Sequence, residues 1–249
     1  MALSATYFGS SGWLIQFEEL RILIDPWLRG DLFFPPGRWL IEGKLKKELD
    51  LPKEINLILL TQGLADHAHR PSLECFSRTI PIVGSAAACK LAKSIGFEDI
   101  FELNPGKIKK IFGLKIEATA GAAVPNIENG YLLSHLSGSI YTEPHGFLDE
   151  KILPRKIDAV ITPVINLKLP FLGSFIQGKK VLPELIKRFK PLTILSSTTG
   201  GEADFSGILD RIIAIDGDLK EASKYLDKKT KFIEPLVGHR YNLETHSSI

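Results

Sequence analysis

Cysteine is scarce in this chain. The two thiols, Cys75 and Cys89, sit in apolar, helix-like settings at a spacing that fits neither a metal knuckle nor a disulfide framework, so a reducing cytoplasm is the expected compartment. Nothing beside either one gives a reason for a lowered thiol pKa, which argues against a cysteine nucleophile. An excess of charge of one sign is also missing. Lys and Arg number 31 against 29 Asp and Glu, and the basic residues are scattered except for KIKK at 107–110. Without a basic face to displace counterions, nucleic-acid binding is not expected.

Long apolar runs are absent as well. No stretch reaches the roughly 18 residues needed to cross a bilayer, so no transmembrane segment is expected. The opening MALSATYFGSSGWLIQF lacks a basic segment followed by an unbroken apolar one, and the protein is expected to be soluble. FGSSG and STTGG do not make G-x-S-x-G, NPGKIKK lacks the spacing of a phosphate loop, and no repeat of 20–50 residues is found.

What is present is enough apolar material for a large core: 249 residues, 44% hydrophobic and 24% charged, read here as one domain over 1–249. The first 25 residues read as strand, turn, strand, turn, strand (ATYFG, WLIQF, RILIDP). A long loop rich in Gly, Pro and aromatics follows, WLRGDLFFPPGRWLIEGK, and then a charged KLKKELD. From residue 55 strands and helices alternate: INLILLT, a helix in SLECFS, IPIVGS, and a helix in SAAACKLAKSIG with Ser85 as N-cap and Gly96 as its stop.

A run of mostly antiparallel strands comes next, from IFELN to GSIYTE. The second half repeats the logic with DAVITPV, a loop INLKLPFLGSFIQGKK, a helix VLPELIKRFK, a strand LTILSS, a helix around FSGILDRI and an extended C-terminal stretch. Two sheets packed face to face with helices outside, a four-layer αββα sandwich of mixed, mostly antiparallel sheets, accounts for this order. The loops DLFFPPGRWL and LKLPFLGSFI are unusually apolar; they pack as satellites of the core, or wall a groove or a partner surface.

The chemistry concentrates in residues 57–73, LILLTQGLADHAHRPSL. A buried strand ends in a Gly-containing loop that holds Asp66, His67 and His69. A strand end carrying carboxylate and imidazole is a common way to present metal ligands. Elsewhere TEPHG offers Glu143 and His145, which point the same way on an extended chain, and GHRY offers His239.

Taken together, these segments resemble a known family. TYFGSSGWLIQFEELRILIDPWLRG at 6–30 resembles the opening of metallo-β-lactamase-fold hydrolases, especially the ascorbate-phosphate lactonase-like branch. LILLTQGLADH aligns with that family's T-H-x-H-x-D-H at the end of a core strand, and ATAG at 118–121, GSIYTE at 138–143 and DAVITPV at 158–164 follow in the family's order.

The resemblance implies two metal positions, and this chain departs from both. Where one metal would be held, the chain has Gln62, Leu64 and Ala122, and Leu and Ala have no lone pair to give. The second position keeps Asp66 and His67, would take Glu143 as its bridging carboxylate, and has Ser197 or Thr198 where an imidazole belongs. The resemblance therefore implies a reduced or relocated mononuclear site of Asp66, His67, Glu143 and His145 for one divalent ion (zinc, manganese or iron). Asp66 would be the general base if it is not a ligand. Asp25 would brace the metal loop, with Gln62, His69 and His239 as surrounding or substrate-contacting residues.

Such a protein would hydrolyse an ester, lactone or phosphoester of a small molecule. The other reading is a metal-free pseudo-enzyme that binds a small ligand or a protein.

Overall fold

The computed structural model describes residues 3–123, 127–171, 173–197, 201–227 and 229–246. Two seven-stranded sheets carry the fold. In the first, the strands run in the order Arg240–Asn242, Leu3–Gly9, Gly12–Phe17, Leu20–Ile24, Leu57–Leu60, Ile82–Gly84, Ile100–Glu102. The members up to Leu20–Ile24 pair antiparallel, and the pairs from there on are parallel. The second sheet has the order Lys231–Ile233, Thr193–Ser196, Ala159–Thr162, Gly138–Thr142, Ile127–His135, Leu114–Ala123, Ile108–Ile111. Its first four strands are parallel and the rest antiparallel.

Leu57–Leu60 illustrates why the apolar run is unbroken. Side chains alternate along a strand, and both faces of this one are covered. Leu57 and Leu59 enter the core between the sheets with Trp13, Phe17, Ile116, Tyr131 and Ile161. Ile58 and Leu60 face outward against Leu73, Ala88 and Ala92.

The helix Ala86–Ile95 seals that outer face. Ser85 accepts a hydrogen bond from the Ala88 amide, and Gly96 ends the helix at φ 99°, a conformation that glycine adopts without strain. On the other side Gly178–Phe189 lays Leu185 and Phe189 against Leu132 and Val160 of the second sheet. The four layers are those expected from the order of elements.

Three local expectations change. The helix placed in SLECFS is only Arg70–Leu73, and its Ser72 hydroxyl is taken by the amides of Leu28 and Arg29. Residues read as the loop INLKLPFLGSFIQGKK form a hairpin, Asn166–Leu169 with Gly173–Gln177, extended by Ala214–Asp216. The helix near FSGILDRI begins only at Ile208, because Ala203–Ser206 pairs with Glu42–Leu45 and Gly207 turns the chain at φ 114°. The two apolar loops thus join separate three-stranded sheets. Leu32 and Ile176 are buried there, while Phe33, Trp39 and Phe171 face solvent.

The sheets are fastened to each other at one edge by polar bonds. The Asn129 amide donates to Thr61 O (3.1 Å), Asn129 Nδ2 to Leu103 O (2.7 Å), and the Tyr131 hydroxyl to Leu60 O (2.9 Å). Among the described residues, no helix is long and apolar enough to cross a membrane.

Two measurements test this layout. Tyr131→Phe removes a buried cross-sheet bond and is expected to cost roughly 1–2 kcal/mol in urea unfolding. Cys75 is exposed, whereas Cys89 is buried with its thiol pushed up to about 11 by burial. Iodoacetamide at neutral pH is expected to label Cys75 in the folded protein and Cys89 only after unfolding.

Candidate metal centre

The parallel strands of both sheets end at one edge of the sandwich, and there the two sheets bring their polar side chains together. Past Thr61 the chain turns: the amides of His67 and Ala68 both donate to Leu64 O, which lifts Asp66 and His67 over the strand end. Gly63 lets this loop lie on the next helix, since a Cβ there would stand 2.7 Å from the Ala87 carbonyl carbon. Glu128 arrives from the other sheet, one residue before the Asn129 amide that bonds Thr61. His145 follows the strand Gly138–Thr142.

His67 is the centre of the arrangement, and 1% of its side chain is exposed. Its Nδ1 lies 2.9 Å from Asp25 Oδ2, and Asp25 is fixed in turn by the Thr61 amide (2.8 Å) and the Thr61 hydroxyl. Asp25 holds φ 42°, a left-handed backbone that Asp tolerates better than most residues. With Nδ1 facing Asp25, the other nitrogen, Nε2, is the one turned toward the cluster. It is buried and makes no aligned hydrogen bond among the described residues, yet Asp66 Oδ2 stands 3.2 Å away and Glu128 Oε1 3.7 Å.

Glu128 is sealed, at 0% exposure, and its second oxygen accepts from His145 Nδ1 at 2.6 Å. The His67 and His145 rings lie 5.2 Å apart. One donor atom from each of His67, Glu128 and His145 lies within 4.8 Å of the others.

Electrostatics follow from this crowding of carboxylates around imidazoles. Burial works against a charged His67, but Asp66, Asp25 and Glu128 around it raise its pKa well above the usual histidine value. Burial works against a charged His145 as well, but the charge and hydrogen bond of Glu128, with the Glu143 charge, together raise it. Burial pushes Asp66 up, but the facing His67 holds it below the usual carboxylate range. Asp25 rises because burial outweighs its hydrogen bonds. Glu143 is pushed up to about 8 by burial and by the neighbouring Glu128 charge.

The donor set fits a divalent cation. His67 Nε2, a Glu128 oxygen and a His145 ring nitrogen gather in a largely sealed space, with Asp66 Oδ2 3.2 Å from His67 Nε2, and such a group of donors repels unless a proton or a cation lies among them. Asp25 supplies the partner that commonly orients a metal-bound imidazole. The absence of sulfur among the donors suits zinc, manganese and iron alike.

The other residues singled out in the sequence fall into two groups. Glu143 is buried beside the cluster, but its carboxylate accepts the amides of His145 and Phe147, so it braces its own loop. Gln62 is buried at the strand end; Leu64 and Ala122 are half-buried. His69 lies within the protein, its pKa lowered by burial, with Nδ1 on Ser72 Oγ (3.0 Å) and Nε2 on Asp31 O (3.1 Å). It ties the loop after Trp27 to the short helix. His239 is exposed and packs at a tilt against the Tyr241 ring, just after the Gly238 amide donates a hydrogen bond to Tyr7 O. Ser197 is buried at the end of Thr193–Ser196, and Thr198 lies outside the described residues.

Glu128 was not among the residues picked from the sequence. Its signal is an acid directly before Asn-Gly at the head of the strand IENGYLLSH, where glycines make room for the carboxylates. A Cβ at Gly130 would stand 3.2 Å from Glu143 Cγ, and one at Gly121 would stand 2.9 Å from Glu128 O.

A four-layer sandwich with a histidine and carboxylate cluster at the shared strand edge defines the metallo-β-lactamase fold. The chain belongs to the beta-lactamase superfamily domain family, whose model matches residues 4–197. Among sequence relatives, a protein from Cereibacter sphaeroides named as a metal-dependent hydrolase is 27% identical over 150 residues, which is 56% of this chain and 61% of that protein. Another so named, from Methanopyrus kandleri, is 24% identical over 199 residues, 75% of this chain and 79% of that one. The isothiocyanate hydrolase from Delia radicum gut bacteria superposes with a TM-score of 0.69 at 16% identity, covering 97% of this chain and all of that one (100%). A metallo hydrolase from Ignicoccus hospitalis superposes at 0.62 and 15% identity, covering 98% and 100%. At these identities the superpositions establish the fold alone.

The position of His145 depends on a tight backbone contact. Gly146 has φ 69°, and a Cβ there would stand 2.4 Å from the Gly178 amide nitrogen. Gly146→Ala is expected to lose roughly 2–4 kcal/mol in thermal or urea unfolding, from left-handed strain plus overpacking. Its NMR spectrum should show a displaced His145 ring.

Proposed function

We propose that this protein is a hydrolase of small esters, lactones or phosphoesters that holds a single divalent cation with His67, Glu128 and His145. The observation that carries the reading is the buried Nε2 of His67, which faces Asp66 Oδ2 and Glu128 Oε1 without an aligned hydrogen bond. The relatives named as metal-dependent hydrolases support it. Leu64 and Ala122 offer no donor for a second cation, which favours one ion over two.

Each side chain has its task. Asp25 orients His67 through Nδ1, so that Nε2, once its proton is displaced, would be the atom that binds. Glu143 holds the turn that carries His145. Asp66, with 26% of its side chain exposed, is the cluster's carboxylate nearest to solvent. It is placed to accept the proton of the attacking water while the water oxygen bonds to the acyl carbon or phosphorus, and the proton then passes to the departing alkoxide. The bound cation supplies Lewis acidity that makes hydroxide available near neutral pH.

The second reading, a metal-free binding module, draws on the 2.6 Å bond between His145 and Glu128, which pairs those groups without a cation. Metal analysis with anomalous scattering separates the two. About one ion per chain at the cluster is expected, with affinity weakened roughly 10–100-fold in Asp25→Asn and lost in a His67→Ala, Glu128→Gln variant. Protein that stays free of metal at the cluster after growth and soaking in zinc, manganese and iron salts would overturn the hydrolase and leave the module.

A further inference from the structure

A cavity of about 400 Å³ opens where the strands Ala159–Thr162 and Thr193–Ser196 of the second sheet end. Val164, Ile165 and Leu219 wall it, and the buried Ser196 and Ser197 close its inner end. Asp218 and Lys220, both exposed, form its lip.

Its place relative to the cluster follows from the strands. His145 follows Gly138–Thr142, Val164 follows the next strand and Ser197 the one after, all parallel. Neighbouring strands lie roughly 4.8 Å apart, so the cavity starts one to two strand spacings from the root of the His145 loop. Two consecutive amides tie these parts together: Gln177 N donates to His145 O (2.9 Å) and Gly178 N to Ile165 O (3.0 Å). One wall of the cavity is thus linked, through Gln177 and Gly178, to the backbone that carries a donor of the cluster.

The chemistry of the lining selects the guest. The walls are aliphatic, so what enters must be apolar. The lip carries one carboxylate and one ammonium, and the Asp218 carboxylate is engaged in capping, accepting the Glu221 amide at 2.7 Å. No net charge at the entrance favours an ionic group. The volume is at the lower end of the roughly 300–1,000 Å³ typical of ligand pockets, which fits a phenyl ring or a short alkyl chain.

We infer that this cavity is the specificity pocket of the hydrolase proposed above, taking the aryl or short alkyl group of a small neutral substrate whose scissile bond lies over His67, Glu128 and His145. The inference rests on that reading for its chemistry, but the pocket is tested without metal. The full-length, metal-stripped protein, labelled with nitrogen-15, is titrated with N-benzylacetamide and with N-methylacetamide.

The benzyl compound is expected to shift the amides of Ile165, Ser197 and Leu219 saturably, and its ring protons to show nuclear Overhauser contacts with the Val164, Ile165 and Leu219 methyls. The methyl compound is expected to do neither. Leu219→Trp and, separately, Ile165→Trp fill the space and should weaken benzyl binding about tenfold or more. Equal binding of the two compounds would overturn the pocket. So would contacts to other residues, or unchanged affinity in filled variants whose spectra show an intact fold. The wild-type contacts decide the matter if the variants do not fold. Benzyl binding by a protein that takes up no metal would keep the pocket and remove the hydrolytic role.

Discussion

Asp25, Glu128 and Glu143 are carboxylates with 1% or less of their surface exposed, packed against two histidines at the edge of an otherwise apolar sandwich. Burying ionised oxygen costs several kcal/mol unless something positive or hydrogen-bonding replaces the lost water. For Asp25 the replacement is the Thr61 amide and hydroxyl together with His67. For Glu143 it is a pair of loop amides. Glu128 has His145 on one oxygen, while the other meets the Thr61 hydroxyl at 3.4 Å and faces His67 Nε2. Against burial, Asp66, the hydrogen bond to Asp25 and the Glu128 charge give His67 its raised pKa, and the same negative charge would draw a cation in.

The fold serves this balance by geometry. Parallel strands of both sheets finish at one edge, so loops from distant parts of the chain meet there without needing to be long. The loop that carries Asp66 and His67 gets its shape from Leu64 O, and the one that carries His145 gets its shape from Glu143. Glycines at 63, 121, 130 and 146 stand where a side chain would strike neighbouring atoms, which is how several polar groups fit into so little space.

Much of this was legible in the sequence. The unbroken apolar LILL marks a strand covered on both faces, and Ser85 with Gly96 marks a helix from end to end. Asp66 and His67 stand out because a carboxylate and an imidazole at a core strand's end are a common way to present metal ligands. Glu128 was hidden for a physical reason. It has no partner nearby in sequence, and it reaches His67 only because Asn129 bonds Thr61 across the gap between the sheets. The role of Glu143 was hidden for the opposite reason: its partners are the amides of its own loop, and a residue list cannot tell a carboxylate aimed outward from one folded back. The hairpin at 166–177 was missed because its apolar residues are partly exposed, so the alternation that betrays a strand is weak.

The bond from Asn129 to Thr61 acts as a spacer between the layers at the point where the polar cluster is assembled. His67 is rooted in one layer and Glu128 in the other, so the gap between their side chains is set by how thickly the interior is filled. Exchanging one interlayer aliphatic residue for a bulkier or slimmer one, even far from the edge, would widen or narrow that gap before it visibly disturbed the fold. Variation in the central packing is therefore a means by which descendants of such a chain could retune the mouth of the sandwich while every polar residue there stays the same.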